Sequence, residues 1–367
     1  MCLILNFLYF MKISYFFKAS FLKFISRKKS RSINLDKSQK ILILMNQKIG
    51  DMVVCSPIIR EIRKSYPKSK IHVLASEVNK EIAICNPYID EVHIYKNQWQ
   101  KLMPLLLQLR KINFDLAIEL EYQVVSKIII LLKIVKPNCI IAVSKCVGRY
   151  GMGPQDIEPY DNYTNSKLTH QRDTCLDVLR LMNIKAKDKS YDVFYPEINK
   201  SKALSFLSSF ERENFFIGFN IEGSSAEKRI ADEDVKSIIM NLHSRFNNLI
   251  IILIHKPDEL ESIEKLIPKE SSSNTFPSYP TKSIHDLAAI IDSLDLIISP
   301  DTSVVHIACA FNKPLVSIYR NNMPLFNIWH PISECNKVVF SKYPESLKGI
   351  DIQSIGDYAS ELIKDSA

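Results

Sequence analysis

The sequence predicts an α/β protein made of two successive Rossmann-like halves. Three observations carry this. A chain of 367 residues is too long for one ordinary core. From residue 40 onward, short apolar runs alternate with stretches of helical periodicity, the pattern of parallel βαβ units. That alternation breaks once, over 145–170, and restarts at 215.

In the first half, KILILMN (40–46) is a compact β-rich run, and SPIIREIRKSYP (56–67) has apolar residues at helical spacing and stops at Pro67. KIHVLAS (70–76) predicts a strand, KEIAICNP (80–87) a short helix and EVHIYK (91–96) a third strand. A helix over 98–111, strand DLAIEL (115–120), helix 124–135 and strand CIIAVS (139–144) follow. Residues 145–170 hold Gly148, Gly151 and Gly153, three of the eight glycines, and predict a long polar binding loop. A helix over 171–183 precedes a connector at 190–202 and a helix at 203–209.

The second half opens with FFIGFNIEGSS (215–225), a strand running into a small-residue turn. Helix 231–245, strand 248–255, helices 258–267 and 284–293, strand LDLIIS (294–299), helix 303–311 and strand PLVSIY (314–319) complete the alternation. A last helix spans 352–365. The predicted organisation is an arm (1–37), a first domain (38–195), a second domain (196–346) and a C-terminal segment (347–367) that packs back on the first domain. Neither half carries GxGxxG, which disfavours a dinucleotide-dependent oxidoreductase.

Charge is confined to one place. Residues 1–40 carry nine Lys/Arg and one acid, so they account for the whole net charge of +8. The other 39 basic and 39 acidic residues balance, which argues against a nucleic-acid-binding body. The arm, MCLILNFLYFMKISYFFKASFLKFI followed by RKKSR, is rich in aromatics and studded with lysine. Its apolar runs are too short to span a bilayer, and it suits the membrane interface, the alternative being a disordered or mis-started leader with no role. The expected location is therefore cytoplasmic and peripheral on the inner membrane. The eight cysteines are scattered without a CxxC pair, so they read as buried hydrophobes rather than zinc ligands.

Three segments carry candidate chemistry. NQKIGDMVVCSP (46–57) follows a strand and opens a helix, so Gly50 and Asp51 fall at the carboxyl edge of the first sheet. Gly50 would let the turn pass close to a ligand. Asp51 suits a general base acting on an acceptor hydroxyl, or equally a helix N-cap. NIEGSSAEKRI (220–230) ends a strand in Gly223, Ser224 and Ser225, whose N–H and hydroxyl groups could cradle a diphosphate with Lys228 beside them. A plain hydrophilic loop with a solvated lysine fits those residues as well. LDLIISPDTSVVHIACAF (294–311) places Asp301, Thr302 and Ser303 at a helix N-terminus that favours anions, with His306 in its first turn. A histidine on an apolar helix is more often a core residue.

These segments, in this order, resemble the ADP-heptose:lipopolysaccharide heptosyltransferases, glycosyltransferase family 9. The matching stretches are IGDMVVCSP (49–57), NPYIDEV (86–92), EKRI (227–230) and PDTSVVHIACAF (300–311), and the resemblance runs from about residue 40 to 340. It implies the GT-B architecture, with two Rossmann-like domains facing an interdomain cleft. It also implies an inverting transfer of heptose from ADP-heptose to the lipopolysaccharide inner core. Asp51 corresponds to the catalytic base and Lys228 to a diphosphate contact. Asp301, Thr302 and His306 match residues of the donor site, and Glu259 matches an acid that contacts the nucleoside. The loop with Arg149 and Tyr150, together with Gly50, would face the acceptor. No cofactor and no obligatory metal are expected. Ile230 stands where the family commonly has Trp, and Ser303 where it often has Gly. Two alternatives remain: a GT-B enzyme using another nucleotide sugar, and a non-catalytic sugar-binding scaffold.

Overall fold

The computed structural model describes residues 39–145, 160–164, 170–210, 214–223 and 225–366, with Ser20 and Phe24. The arm at 1–37, apart from these two residues, and most of the loop at 145–170 lie outside this set. The chain divides into two compact units, residues 1–48 with 57–189, and residues 49–56 with 190–367.

The first unit holds a six-stranded sheet of order β3-β2-β1-β4-β5-β6. Its strands are β1 (Lys40–Met45), β2 (Lys70–Ala75), β3 (Glu91–Ile94), β4 (Leu116–Glu119), β5 (Cys139–Ala142) and β6 (Asn162–Tyr163). Every pairing is parallel. Ile41 to Met45 of β1 are buried in sequence rather than in alternation, as a parallel strand covered on both faces requires. One face is covered by α3 (Trp99–Ile112) and α4 (Ser126–Val135), whose Leu102, Leu106, Leu109, Ile128, Leu131 and Leu132 pack on Leu42, Leu44 and Leu74. The short α2 (Lys80–Ile84) links β2 to β3, and α5 (Gln171–Asp177) runs into a 3-10 turn at Val178–Met182.

The second unit repeats the plan in the order β12-β11-β10-β7-β8-β9, again all parallel. The strands are β7 (Phe215–Asn220), β8 (Leu249–Ile254), β9 (Thr275–Pro277), β10 (Leu296–Pro300), β11 (Leu315–Tyr319) and β12 (Asn336–Phe340). Its helices are α6 (Glu197–Leu207), α7 (Asp232–Arg245), α8 (Leu260–Glu264), α9 (Ile284–Ser293), α10 (Ser303–Ala310), α11 (Met323–Trp329) and α12 (Ile352–Ser366). Counted within each unit, both sheets have the doubly wound order 3-2-1-4-5-6, which reverses direction between the first and fourth strands. This is the GT-B fold class expected from the sequence.

Several elements differ from expectation. The helix expected at 56–67 begins seven residues earlier, as α1 (Ile49–Ser65). Pro57 sits inside it and cannot donate to the carbonyl four residues back. Ser56 supplies the missing donor: its Oγ bonds to Val53 O at 2.7 Å and accepts from Asp192 N at 2.7 Å. The connector at 190–202 is helical from Glu197, with Pro196 at the N-cap in extended conformation. The C-terminal helix, expected on the first domain, belongs to the second unit. Ile355, Ala359 and Leu362 of α12 belong to the core of the second unit, where the helix packs on α7 and the strands β10 to β12. Among the described residues, no helix is long and apolar enough to cross a membrane.

Candidate active site

The loops after the first and fourth strands of a doubly wound sheet converge at the switch point, where such folds bind ligands. In the second unit these are the loops after β7 and β10. Asn220, the last residue of β7, is buried and ties the two together. Its Nδ2 donates to Glu222 O at 3.0 Å and to Ser299 Oγ at 2.9 Å, and lies 3.3 Å from Thr302 Oγ1. A buried amide that reaches three acceptors holds both loops in one geometry.

Gly223 sits in that loop because nothing larger fits. A Cβ there would lie 2.3 Å from the Lys228 backbone and Cβ. The close approach therefore serves the loop itself. Ser225 is exposed and precedes a 3-10 turn at Ala226–Lys228, and Ser224 lies outside the described residues. The Ser225 hydroxyl bonds to the Glu227 carboxyl and lowers its pKa.

Lys228 is not a solvated lysine. Its Nζ pairs with Asp301 Oδ2, and both side chains are about four-fifths buried. Asp301 itself follows β10 and is held by its backbone, whose N–H donates to Ile318 O at 3.1 Å. Thr302 caps α10, its Oγ1 accepting from Val304 N at 3.2 Å. Ser303 is the first residue of that helix. Beneath the pair lies Tyr319, fully buried, whose hydroxyl donates to Trp329 O at 2.9 Å. Burial first, and then the Asp301 carboxylate, push its pKa well above the usual tyrosine value.

Glu259 ends the 3-10 turn Pro257–Glu259 after β8. Lys256 spans two loops: its Nζ is 3.0 Å from Glu259 Oε1 and 3.4 Å from Glu222 Oε2. The hydrogen bond to Glu259 is the main cause of its raised pKa. Glu222 also accepts from Arg229 Nε at 2.9 Å. The second oxygen of Glu259, Oε2, is buried without a hydrogen-bond partner. A buried carboxylate oxygen in that state favours a ligand that brings a donor.

His306 is buried, at 4% exposed. Its ring lies 6.3 Å from that of Tyr191 and 6.1 Å from that of Trp329. It also meets the start of α1. A Cβ on Gly50 would come within 3.0 Å of His306 Cδ2 and 3.8 Å of Ser303 Cα. Gly50 therefore answers the approach of two helix starts, α1 and α10, within the second unit. Asp51 is the next residue, half-buried in the first turn of α1. It is the third helical residue rather than the N-cap, and a carboxylate there also complements the helix dipole. The turn before α1 is fixed from the first unit: Asn79 Nδ2 donates to Met45 O at 2.8 Å, and Ser76 Oγ donates to Gln47 O at 2.8 Å.

The structure thus groups Gly223, Lys228, Asp301 and Thr302 around Asn220, and groups Gly50, Ser303 and His306 at the joined starts of α1 and α10. Glu259 is linked to the first group through Lys256 and Glu222. Arg149 and Tyr150 lie outside the described residues. Sequence reading missed Asn220, Glu222, Lys256 and Tyr319. Asn220 and Glu222 had a signal, as polar residues ending an apolar strand; Tyr319 had none, being one aromatic in an apolar run.

Another titratable group stands on the first sheet. His72 Nδ1 and His93 Nε2 are 3.0 Å apart, and the two rings are coplanar to 3° with centroids at 5.3 Å. That is a head-on N–H···N hydrogen bond. Glu91 lies beside it, 3.4 Å from His72. The three side chains could also gather around a metal ion.

The family model for glycosyltransferase family 9 (heptosyltransferase) matches residues 103–354. The chain is 23% identical over 308 residues to lipopolysaccharide heptosyltransferase 3 of Escherichia coli, covering 77% of this chain and 84% of that one. A glycosyl transferase family 9 structure from Veillonella parvula superposes with a TM-score of 0.75 at 18% identity, over 92% of this chain and 99% of its own. The E. coli ADP-heptose lps heptosyltransferase II structure gives a TM-score of 0.70 at 17% identity, over 89% and 100%.

Proposed function

Because the chain belongs to glycosyltransferase family 9, the heptosyltransferase family, we propose that it moves heptose from ADP-heptose onto the lipopolysaccharide inner core with inversion. The observation that carries this reading is the Lys228–Asp301 pair beside the Thr302-capped start of α10. A nucleoside diphosphate placed there meets a cation, a helix N-terminus and the backbone of Gly223. Developing charge on the leaving diphosphate is stabilised by groups already in position. Lys228 exchanges its Asp301 partner for a phosphate oxygen, and Asp301 is then free to accept from a sugar hydroxyl. Glu259 Oε2 accepts from the nucleoside.

Asp51 takes the proton of the acceptor hydroxyl as it attacks the anomeric carbon. The bond to the diphosphate breaks on the opposite face, so the product has inverted configuration. Protein groups meet the diphosphate charge in this scheme, which requires no obligatory metal. The name of the E. coli structure supports ADP-heptose as donor. The name of the E. coli heptosyltransferase 3 supports lipopolysaccharide as the class of acceptor.

The test is mass spectrometry of a truncated lipopolysaccharide core incubated with purified protein and ADP-heptose, with Asp51→Ala as control. A gain of one heptose with the wild type alone is expected. General-base assistance is worth about 10²–10⁴-fold, so Asp51→Ala should lose rate on that order. A loss below tenfold would reduce Asp51 to a dipole partner of α1. A gain only with another nucleotide sugar would overturn the donor, and no gain with any donor would favour a sugar-binding scaffold.

A further inference from the structure

The charge of the folded body is balanced in total but not in distribution. Between residues 92 and 155 the sequence has nine Lys/Arg and three acids, Asp115, Glu119 and Glu121. None of the three lies on α3 or α4. Glu119 is buried with Lys145, Asp115 accepts from Lys40 N at 2.9 Å, and Glu121 accepts from Gln47 Nε2 at 3.4 Å. The two helices and the residue closing α4 carry six cations: Lys101, Arg110, Lys111, Lys127, Lys133 and Lys136.

α3 and α4 lie side by side on one face of the first sheet, since both contribute to one core cluster and Arg110 Nη1 donates to Ile134 O at 3.1 Å. Their inward stripes are fully apolar, so their other faces point away from the core. On α3 that outward side exposes Lys101, Pro104, Leu107 and Lys111. Leu107 is 51% exposed, Trp99 39%, and Tyr122, just before α4, 49%. Lys127 binds the aromatic end together: its Nζ is 5.5 Å from the Trp99 ring centroid and 5.9 Å from that of Tyr95.

We propose that this outward face of α3 and α4 is a membrane-docking surface, which seats the first unit on anionic phospholipid headgroups. The chemistry is complementary. Cations on two helices whose sequences hold no acid meet lipid phosphates, while Trp99, Tyr122 and Leu107 enter the headgroup boundary. A protein partner fits less well, because lysine is depleted where proteins bind each other. The placement also serves a lipid-borne acceptor. Trp99 follows β3 and Tyr122 follows β4, so the aromatic end of the face adjoins the carboxyl edge of the first sheet, where ligands of such sheets bind.

The full chain carries further cations at 1–40, so vesicle binding alone decides nothing. Trp99 reports on this face directly, because the chain has two tryptophans and Trp329→Phe leaves Trp99 alone. With vesicles of phosphatidylcholine and phosphatidylglycerol, the Trp99 emission of the full-length W329F protein should shift to the blue and be quenched by doxyl-labelled lipid. With phosphatidylcholine alone it should not. Lys101→Gln, Lys111→Gln and Lys133→Gln combined should weaken partitioning about a hundredfold, at about fivefold per cation removed. Trp99 emission unmoved in vesicle-bound protein would overturn the proposal, as would unchanged partitioning of the triple variant. A blue shift that grows with protein concentration without lipid would assign the face to a second copy of the chain instead.

Discussion

The Lys228–Asp301 pair is where a single residue decides most. Each side chain is mostly buried and each holds the other's charge. Removing one therefore costs twice, once in donor contact and once in the uncompensated partner. Lys228→Ala should lower kcat/KM for the donor about 10²-fold. Combined with Asp301→Asn, the losses should fall well short of additive, because both substitutions dismantle one unit. Steady-state kinetics of the four-member cycle measures this, and strict additivity would mean that the two residues act separately. Much of this site was legible in the sequence. Asp301 and Thr302 stand between a strand and a helix, and Lys228 closes the turn after β7, where the strand–turn–helix pattern flags them. Their pairing was not legible, because 73 residues separate Lys228 from Asp301 and only the strand order brings β7 beside β10.

At the scale of elements, α1 shows where local rules fail. Pro57 argues for a helix start at 56, and the apolar spacing agrees. The helix instead runs through the proline because Ser56 Oγ satisfies Val53 O and is itself engaged by Asp192 N. No sequence rule predicts a partner 136 residues away. Ser56→Ala should leave that carbonyl and that N–H without their partner and destabilise the protein by about 1–3 kcal/mol. Urea unfolding checks this; an unchanged midpoint would mean that α1 does not need the bridge. β6 and β9 were missed for a simpler reason. They have two and three residues at sheet edges, too few to show a period.

The β2–β3 pair carries a pH dependence of its own. Burial lowers the pKa of His72 and also of His93, where the neighbouring His72 adds to it. Glu91 and Asp90 oppose the shift at His72, while Lys40 and Lys70 reinforce it. A histidine whose folded pKa is depressed binds a proton more readily when unfolded. Its contribution to stability is therefore present above the unfolded value near 6.5 and lost as pH falls below it. Stability should drop between about pH 7 and pH 5, and His93→Gln should flatten that slope by removing one of the two sites. Thermal melts across the window test the sign; a slope unaffected by the substitution would assign the acid sensitivity to other groups.

For the whole molecule, the doubled strand order 3-2-1-4-5-6 was foreshadowed by the alternation that stops and restarts. Analogy puts the last helix on the first domain, whereas its own periodicity fits the core of the second unit, to which it belongs. IQSIGDYASELIKD presents Ile355, Ala359 and Leu362 on one stripe, and all three are buried in the core of the second unit. Gly356 allows the contact with α7, since a Cβ there would meet Asn241 Oδ1 at 2.1 Å. Arg245 then bridges the helices through Gln353 at 2.9 Å and Asp357 at 2.6 Å. Deleting residues 351–367 would strip these side chains and expose the apolar surface of β10 and β11 beneath them. Burial of an Ile or Leu side chain is worth about 1.5–3 kcal/mol, and Ile352, Tyr358 and Ile363 add partial burial. The total reaches about 5 kcal/mol or more, comparable with the whole stability of a domain of this size. The truncated chain should therefore lose the folded second unit and with it donor binding, while Arg245→Ala alone should remain folded. Circular dichroism and limited proteolysis of the deletion separate the outcomes. A truncated protein that still melts cooperatively with both units protected would show that α12 only covers a core already complete without it.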